Sequence, residues 1–456
     1  MNYFYFFFFV SLGILIWIKP FAEFLKNRII SSNNINVIAG ITLFIGLICI
    51  YVALTDEYWF ERVWRIVTFI LGVILIIRGI AAIFFFNQIK KAISFVFQHY
   101  FKFMSTISVI FFILAFFVIS SDYVGPQKDI SDCSSDNKVK LICDFKNPED
   151  IVIMPDKKFL FMSEFGGIGP YEKQKSGYFA LLDLETKTKI IPNIIIEENI
   201  WGDPICTRTI NKKYGPHGID LIKRNDGRYQ LGVINHYPNE SIEMFEMIKK
   251  ENSWYMVWRG CIDVPHEFYF NDISLRKNGS LYASHMYHRD ITLIEWLFVS
   301  LIKSNTGFLV EWIENKFKKI DGSDGSGPNG IALDEDSNII YINYNQGDSI
   351  TKFDLSLNKK LVKKFIEAPD NPYIDGNDIW ITSLDFQPND FGECEFKKSC
   401  SLPFSIYQLD KDNLKIKNEY SFSKTVFGLP TVAVPIENEV FLGSFHSDRL
   451  GIIEIN

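Results

Sequence analysis

The chain has 456 residues, 48% of them hydrophobic, and a formal net charge of −7. It is too long for one ordinary domain. It also lacks any Lys/Arg-rich run of the kind that tracks a phosphate backbone, which excludes nucleic acid as a partner; its acidic clusters suit cations instead. Hydrophobicity is unevenly spread. Residues 1–120 are dominated by Phe, Ile, Leu and Val, whereas residues 121–456 alternate short polar and apolar runs with Gly, Pro, Asn and Asp between them.

In the first region four segments approach the roughly 20 apolar residues that a bilayer-crossing helix needs. They are Tyr3–Ile18, Asn36–Leu54, Val63–Phe86 and Met104–Ser120, so residues 1–120 are predicted to form a membrane domain of four transmembrane helices. Tyr3–Ile18 has neither a basic flank before it nor a small-residue cleavage pattern after it, unlike a signal peptide. Arg65 stands near one end of the third segment, and the deeper Arg78 must snorkel or face other helices, water or the interface. Lys19, Lys26 and Arg28 follow the first segment and Lys90, Lys91 and Lys102 the third, whereas Asp56, Glu57 and Glu61 outnumber Arg62 between the second and third. By the positive-inside rule the first and third loops are cytoplasmic. The N-terminus and everything after Ser120 are then expected on the exocytoplasmic side, with Tyr58 and Trp59 as interface anchors.

Residues 121–142 read as a linker, and residues 143–456 as short strands broken by turn signals, among them Ile151–Met154, Tyr178–Leu182, Gln230–Asn235, Ser280–Ser284, Ile339–Tyr344 and Val440–Gly443. About 310 residues divide into six units of about 50, the size of a four-stranded blade, so the fold class is an all-β six-bladed β-propeller preceded by membrane helices. Ile291–Lys303 is the exception and reads as one amphipathic helix or membrane-touching insertion. Six of the seven cysteines (Cys133, Cys143, Cys206, Cys261, Cys394 and Cys400) lie in the second region without zinc-like spacing. They suit disulfides in an oxidising compartment or buried thiols in a reducing one, and Cys394–Cys400 is the most plausible local pair.

A small phrase recurs at blade-like intervals: Asp or Asn, often with Gly, ahead of an apolar residue. It appears as Pro148-Glu149-Asp150-Ile151, Pro216-His217-Gly218-Ile219-Asp220, Asn271-Asp272-Ile273, Gly327-Pro328-Asn329-Gly330-Ile331 and Gly376-Asn377-Asp378-Ile379. Each phrase alone is ordinary turn chemistry. Five of them in a propeller start the innermost strands around one channel, where their oxygens form a set of hard ligands better suited to calcium than to zinc.

In these phrases the chain resembles the paraoxonase/arylesterase family over about residues 143–456, with a more distant likeness to regucalcin and gluconolactonases. The resemblance implies two channel calcium ions. Glu149, Asn271, Asn329, Asn377 and Asp378 fall on the catalytic-ion motifs, and Asp150, Asp272 and the Ile219 carbonyl on the structural-ion motifs. It further implies a catalytic histidine pair, His217 and His236, the latter in Val233-Ile234-Asn235-His236, with the family-like Glu243-Met244-Phe245 after it. The order Asn377-Asp378 departs from the family's Asp-Asn, and no C-terminal cysteine is present to close the ring.

The function so implied is calcium-dependent hydrolysis of lactones or aryl esters, with the bilayer as the chain's other partner. No G-x-S-x-G elbow competes with that route. The rivals are a non-catalytic propeller binding a protein or glycan partner and a strictosidine-synthase-like condensation, which would not need the calcium set. His285 and His288 fit a pocket or plain surface role, and His266 a turn. Asn239-Glu240-Ser241 and Asn278-Gly279-Ser280 fit the glycosylation pattern.

Overall fold

The structure, a computed structural model, describes residues 2–15, 18, 20, 23–24, 27, 32–120, 126, 128–167, 174–208, 213–251, 253–385, 394 and 397–455. The chain forms two compact units, Met1–Gly125 and Pro126–Asn456.

The first unit is helical: α1 (Asn2–Leu15), α2 (Ser32–Leu54), α3 (Val63–Phe84), α4 (Phe86–Gln98) and α5 (Tyr100–Ser120). Among the described residues two stretches, Asn36–Leu54 and Trp64–Phe84, are each long and apolar enough to cross a membrane. A third arises only if α4 and residues 100–116 of α5, bent by 85° at their junction, count as one span. The four predicted spans thus reduce to two, or at most three. Within Tyr3–Ile18 the described helix ends at Leu15 after 14 residues, about 21 Å at 1.5 Å per residue, against a hydrocarbon core of about 30 Å.

Helices α2 and α3 pack closely because glycines face each other. A Cβ at Gly46 would lie 2.9 Å from the Gly72 carbonyl oxygen, and one at Gly79 only 2.6 Å from Leu43. Such small-residue contacts are how helices approach where lipid removes any hydrophobic drive between them. Arg65, wholly buried, pairs with Asp56 at 3.1 Å and donates to the Val52 carbonyl at the end of α2, so it joins the two helices at their connection. Arg78 lies on an exposed face.

The second unit is six antiparallel-based sheets, five of four strands and one of five. The extra strand, Asn193–Ile196, adds in parallel to Ser253–Asp263. The ring closes by pairing Lys140–Cys143 with Arg449–Glu454, which places the N-terminal strand outermost in the last blade. The unit begins before the predicted boundary of 143: Ile130 and Val139 are buried in its core, and Arg449 donates to the Ile130 carbonyl. Between blades the faces interlock through apolar clusters such as Phe161, Phe179, Leu231 and Phe245. The cysteines pair as Cys133–Cys143, Cys206–Cys261 and Cys394–Cys400. The predicted insertion is a helix, α6 (Leu293–Leu301), started by a Thr292–Glu295 capping box, with Ile294 80% exposed.

One local feature builds the channel. At the start of five innermost strands the ladder shifts register, between Pro148 and Asp150, Pro216 and Ile219, Phe270 and Ile273, Pro328 and Ile331, and Pro430 and Ala433. The sixth blade repeats it. Pro369 pairs with Ser383 and Tyr373 with Trp380, which sets four residues of one strand against three of the other. A bulge frees side chains from the ladder and re-aims them. Proline suits the first position because it has no N–H to donate to the sheet.

Candidate active site in the propeller channel

The bulges bring to the channel Glu149-Asp150, His217-Gly218, Asn271-Asp272, Asn329-Gly330 and Asp370-Asn371. Glu149 is the hub. Its Oε1 accepts from Asn371 Nδ2 at 3.0 Å and lies 3.6 Å from His217 Nε2. Asn329 donates to the Asp370 carboxylate. Among the described residues, the four buried oxygens Glu149 Oε2, Asn271 Oδ1, Asn329 Oδ1 and Asn371 Oδ1 find no hydrogen-bond partner. A buried polar atom left unpaired is costly, and four such oxygens in one channel suit a cation.

Burial, followed by mutual repulsion with Asp150, Asp370 and Asp272, holds the Glu149 carboxyl well above its usual range. Burial likewise raises Asp272 and Asp370, and brings Asp150 to about 7. Among the described residues no group of three or more His, Cys, Asp and Glu is arranged to hold a metal by itself. The unpaired donors are three amides and one carboxylate, an oxygen-only set that fits calcium and disfavours zinc.

Asp150 and Asp272 form a second layer. Asp150 accepts from the backbone N–H of Ile151 and of Ile219 in the next blade, both at 2.8 Å. Asp272 does the same with Ile273 and Ile331, at 2.7 Å each. Gly218 is required here, since a Cβ on it would lie 2.4 Å from Asp272 Oδ1. A cavity of about 440 Å³ is lined by Asp150, Ile219, Asp272 and Asn371 among others. A larger groove of 670 Å³, bordered by Lys157, Lys158, Lys187 and Lys249, contains none of these residues.

The two predicted histidines meet. His217 Nδ1 and His236 Nε2 are 3.0 Å apart, and His236 Nδ1 lies 2.7 Å from Glu240 Oε2. Phe165 stacks on His217 and Tyr269 on His236, with ring centres 4.6 and 4.9 Å apart. Burial first, and the neighbouring His236 second, push the His217 pKa well below its usual value, so the ring is neutral at neutral pH.

Six of the eight predicted ligands, Glu149, Asp150, Ile219, Asn271, Asp272 and Asn329, lie at bulged channel positions. Asn377 and Asp378 do not. They occupy the hairpin after Tyr373–Asp375, where Asn377 is exposed and Asp378 pairs with Lys417 and accepts from Gln408. Asp370 and Asn371 stand in their place, in the Asp-Asn order whose absence had marked the predicted pair as a departure. The signal was Pro369, which matches Pro148, Pro216, Pro328 and Pro430 ahead of the other bulges. Glu240 carried no local signal at all.

His285 accepts from the Tyr269 backbone N–H and packs on Phe308, and burial lowers its pKa to about 4. His266 and His288 are exposed; His266 lies 3.6 Å from Asp290 and His288 accepts from the Asp290 backbone.

Fold and site define a six-bladed propeller whose channel carries a buried imidazole pair beside a nest of unpaired oxygens. The chain belongs to the arylesterase family, whose model matches residues 163–450, and membership supports a hydrolase. No curated protein is similar enough in sequence to match. Among solved structures, a luciferin-regenerating enzyme is 13% identical with a TM-score of 0.43, covering 70% of this chain and 95% of its own. The periplasmic gluconolactonase of Pseudomonas aeruginosa is 11% identical with a TM-score of 0.35, covering 68% and 89%. The holo PQQ domain of pyranose dehydrogenase from Coprinopsis cinerea is 10% identical with a TM-score of 0.41, covering 70% and 96%.

Proposed function

We propose that the propeller hydrolyses lactones, with aryl esters as weaker substrates, using water activated by His217. The observation that carries this reading is the placement of the buried His217 ring, with its Nδ1 3.0 Å from His236 and its Nε2 3.6 Å from Glu149 Oε1 at the edge of the unpaired oxygens. Glu149, Asn271, Asn329, Asp370 and Asn371 would hold one calcium ion, and Asp150, Asp272 and the Ile219 carbonyl a second, structural one. When bound, the first ion supplies Lewis-acid polarisation of the substrate carbonyl and charge stabilisation of its oxygen.

The chain's own residues do the rest. His217 Nε2 takes a proton from water as the water oxygen bonds to the carbonyl carbon. His236, held to Nδ1, shares the resulting positive charge. As the carbonyl re-forms, the ring C–O bond breaks and the proton passes from His217 to the departing alkoxide, leaving a hydroxy acid. Phe165 and Tyr269 cover the imidazoles and exclude bulk water. The apolar helices are proposed to anchor the propeller to the bilayer on the exocytoplasmic side, a placement that follows from the basic loops when the bent pair α4–α5 crosses as a third span and that suits the three disulfides.

The test is His217→Gln in the full chain, purified in detergent and assayed on short- and long-chain lactones and phenyl acetate with calcium present. Loss of a general base lowers kcat by about 10²–10⁴-fold, and calcium content and melting temperature should stay near wild type. A variant with wild-type lactonase activity rejects the base. A calcium-loaded wild type inert on every substrate rejects the hydrolase and favours a binding propeller.

A further inference from the structure

We propose that Glu240 is a positioning residue that fixes the direction of the hydrogen-bond chain through the histidine pair, so that His217 presents a bare Nε2 to the channel. The proposal rests on His217 as the base, and adds what decides which of its nitrogens is free.

A neutral imidazole has one N–H and one lone pair, and the partner of either nitrogen sets which is which. The pair here is terminated by carboxylates at both ends. His236 Nδ1 is 2.7 Å from Glu240 Oε2, whereas His217 Nε2 is 3.6 Å from Glu149 Oε1. The first is a short charge-assisted hydrogen bond and the second lies beyond hydrogen-bond range. Glu240 therefore claims a proton and Glu149 does not.

The consequence runs along the chain. With Nδ1 protonated, His236 has its lone pair on Nε2. That atom, 3.0 Å from His217 Nδ1, must accept from it. His217 then carries its proton on Nδ1 and its lone pair on Nε2, facing the channel, as a base must. Reversing the polarity would place the proton on Nε2 and disable the ring.

Glu240 is itself held. Gln174 Nε2 donates to its Oε1 at 2.5 Å, and only 8% of the residue is exposed. The turn from His236 to Glu240 is tied down by Asn235, which accepts from the Gly215 N–H at 2.7 Å and donates to the Asn239 carbonyl at 3.0 Å. Tyr269 stacked on His236 fixes the ring plane. Among the described residues neither Glu240 nor His236 hydrogen-bonds to any of the four unpaired oxygens.

The test reads tautomers directly. The full chain, with seven histidines, is labelled with ring-15N histidine in nanodiscs, and His217→Gln and His236→Gln assign the two signals. Both rings are expected as Nδ1–H tautomers at neutral pH. In Glu240→Leu the pair should become a mixture of both polarities, and kcat should fall by about 10²-fold, the lower end of base removal, with KM within twofold. Glu240→Gln, which retains an acceptor without the charge, should recover most of the wild-type tautomer and about a tenth of kcat. A wild-type His236 protonated on Nε2 overturns the proposal whatever the activity, as does Glu240→Leu with unchanged tautomers and kcat. If His217→Gln remains active while the tautomers are as expected, the base assignment fails and the positioning by Glu240 stands.

Discussion

Removing divalent cations should destabilise the propeller, and the loss should grow as pH rises from about 4 to about 7. Four buried carboxyls, Glu149, Asp150, Asp272 and Asp370, are all raised by burial, and Asp150 moves from its usual 3.8 to about 7. Between those two values the folded chain keeps a proton that the unfolded chain has released. Folded protein thus binds more protons than unfolded, and stability falls as pH rises through the window. Each pH unit spent in that condition costs about 1.4 kcal/mol per carboxyl, so Asp150 alone contributes a loss on the order of 4 kcal/mol. A unit of about 330 residues unfolds with an entropy near 0.7 kcal/mol/K, which converts the loss to a Tm drop of about 6 °C. Bound calcium replaces the protons and should flatten the curve. The assay is intrinsic-fluorescence melting of the full chain, dialysed free of metal or supplied with calcium, at a series of pH values. Identical melting with and without calcium at every pH, or a metal-free Tm that climbs through the window, would refute the reasoning.

Asn371→Ala should weaken calcium binding by about 10–100-fold, whereas Asn377→Ala, on its exposed hairpin, should leave affinity unchanged and stability within about 0.5 kcal/mol; isothermal titration and melting separate them, and the reverse pattern would return the ligand role to the hairpin. Gly218→Ala puts a Cβ 2.4 Å from Asp272 Oδ1 and should cost about 1–3 kcal/mol of stability, read by denaturant titration. Asp150→Asn places an amide hydrogen against one of two backbone N–H donors, from Ile151 and Ile219, and should lower stability by about 1–3 kcal/mol while kcat of the folded fraction is retained. An export-dependent reporter fused after Ser120 should be active, and a cytoplasm-dependent one silent; the opposite result would invert the topology.

What the sequence by itself determined lies at short range. Apolar runs at Asn36–Leu54 and Val63–Phe86 declare helices fit for a bilayer, because length and hydropathy are properties of consecutive residues. The blade count and the phrases around Glu149, His217, Asn271 and Asn329 were legible for the same reason. Each pairs a strand start with a polar residue a few positions away. The tertiary structure decided everything that depended on which turn faces the channel. Asn377-Asp378 and Asp370-Asn371 are both Asx-rich turns, seven residues apart by number, and composition cannot rank them. The extra residue between Pro369 and Tyr373, measured against the partner strand, sends one pair inward, and the hairpin after Asp375 sends the other to Lys417. Glu240 was invisible for a related reason. Its role comes from an irregular turn that folds it back on His236, with Gln174 brought in from 66 residues away. Periodicity has nothing to report where backbone hydrogen bonds leave the ladder, and the chemistry of this site is built from residues at those departures.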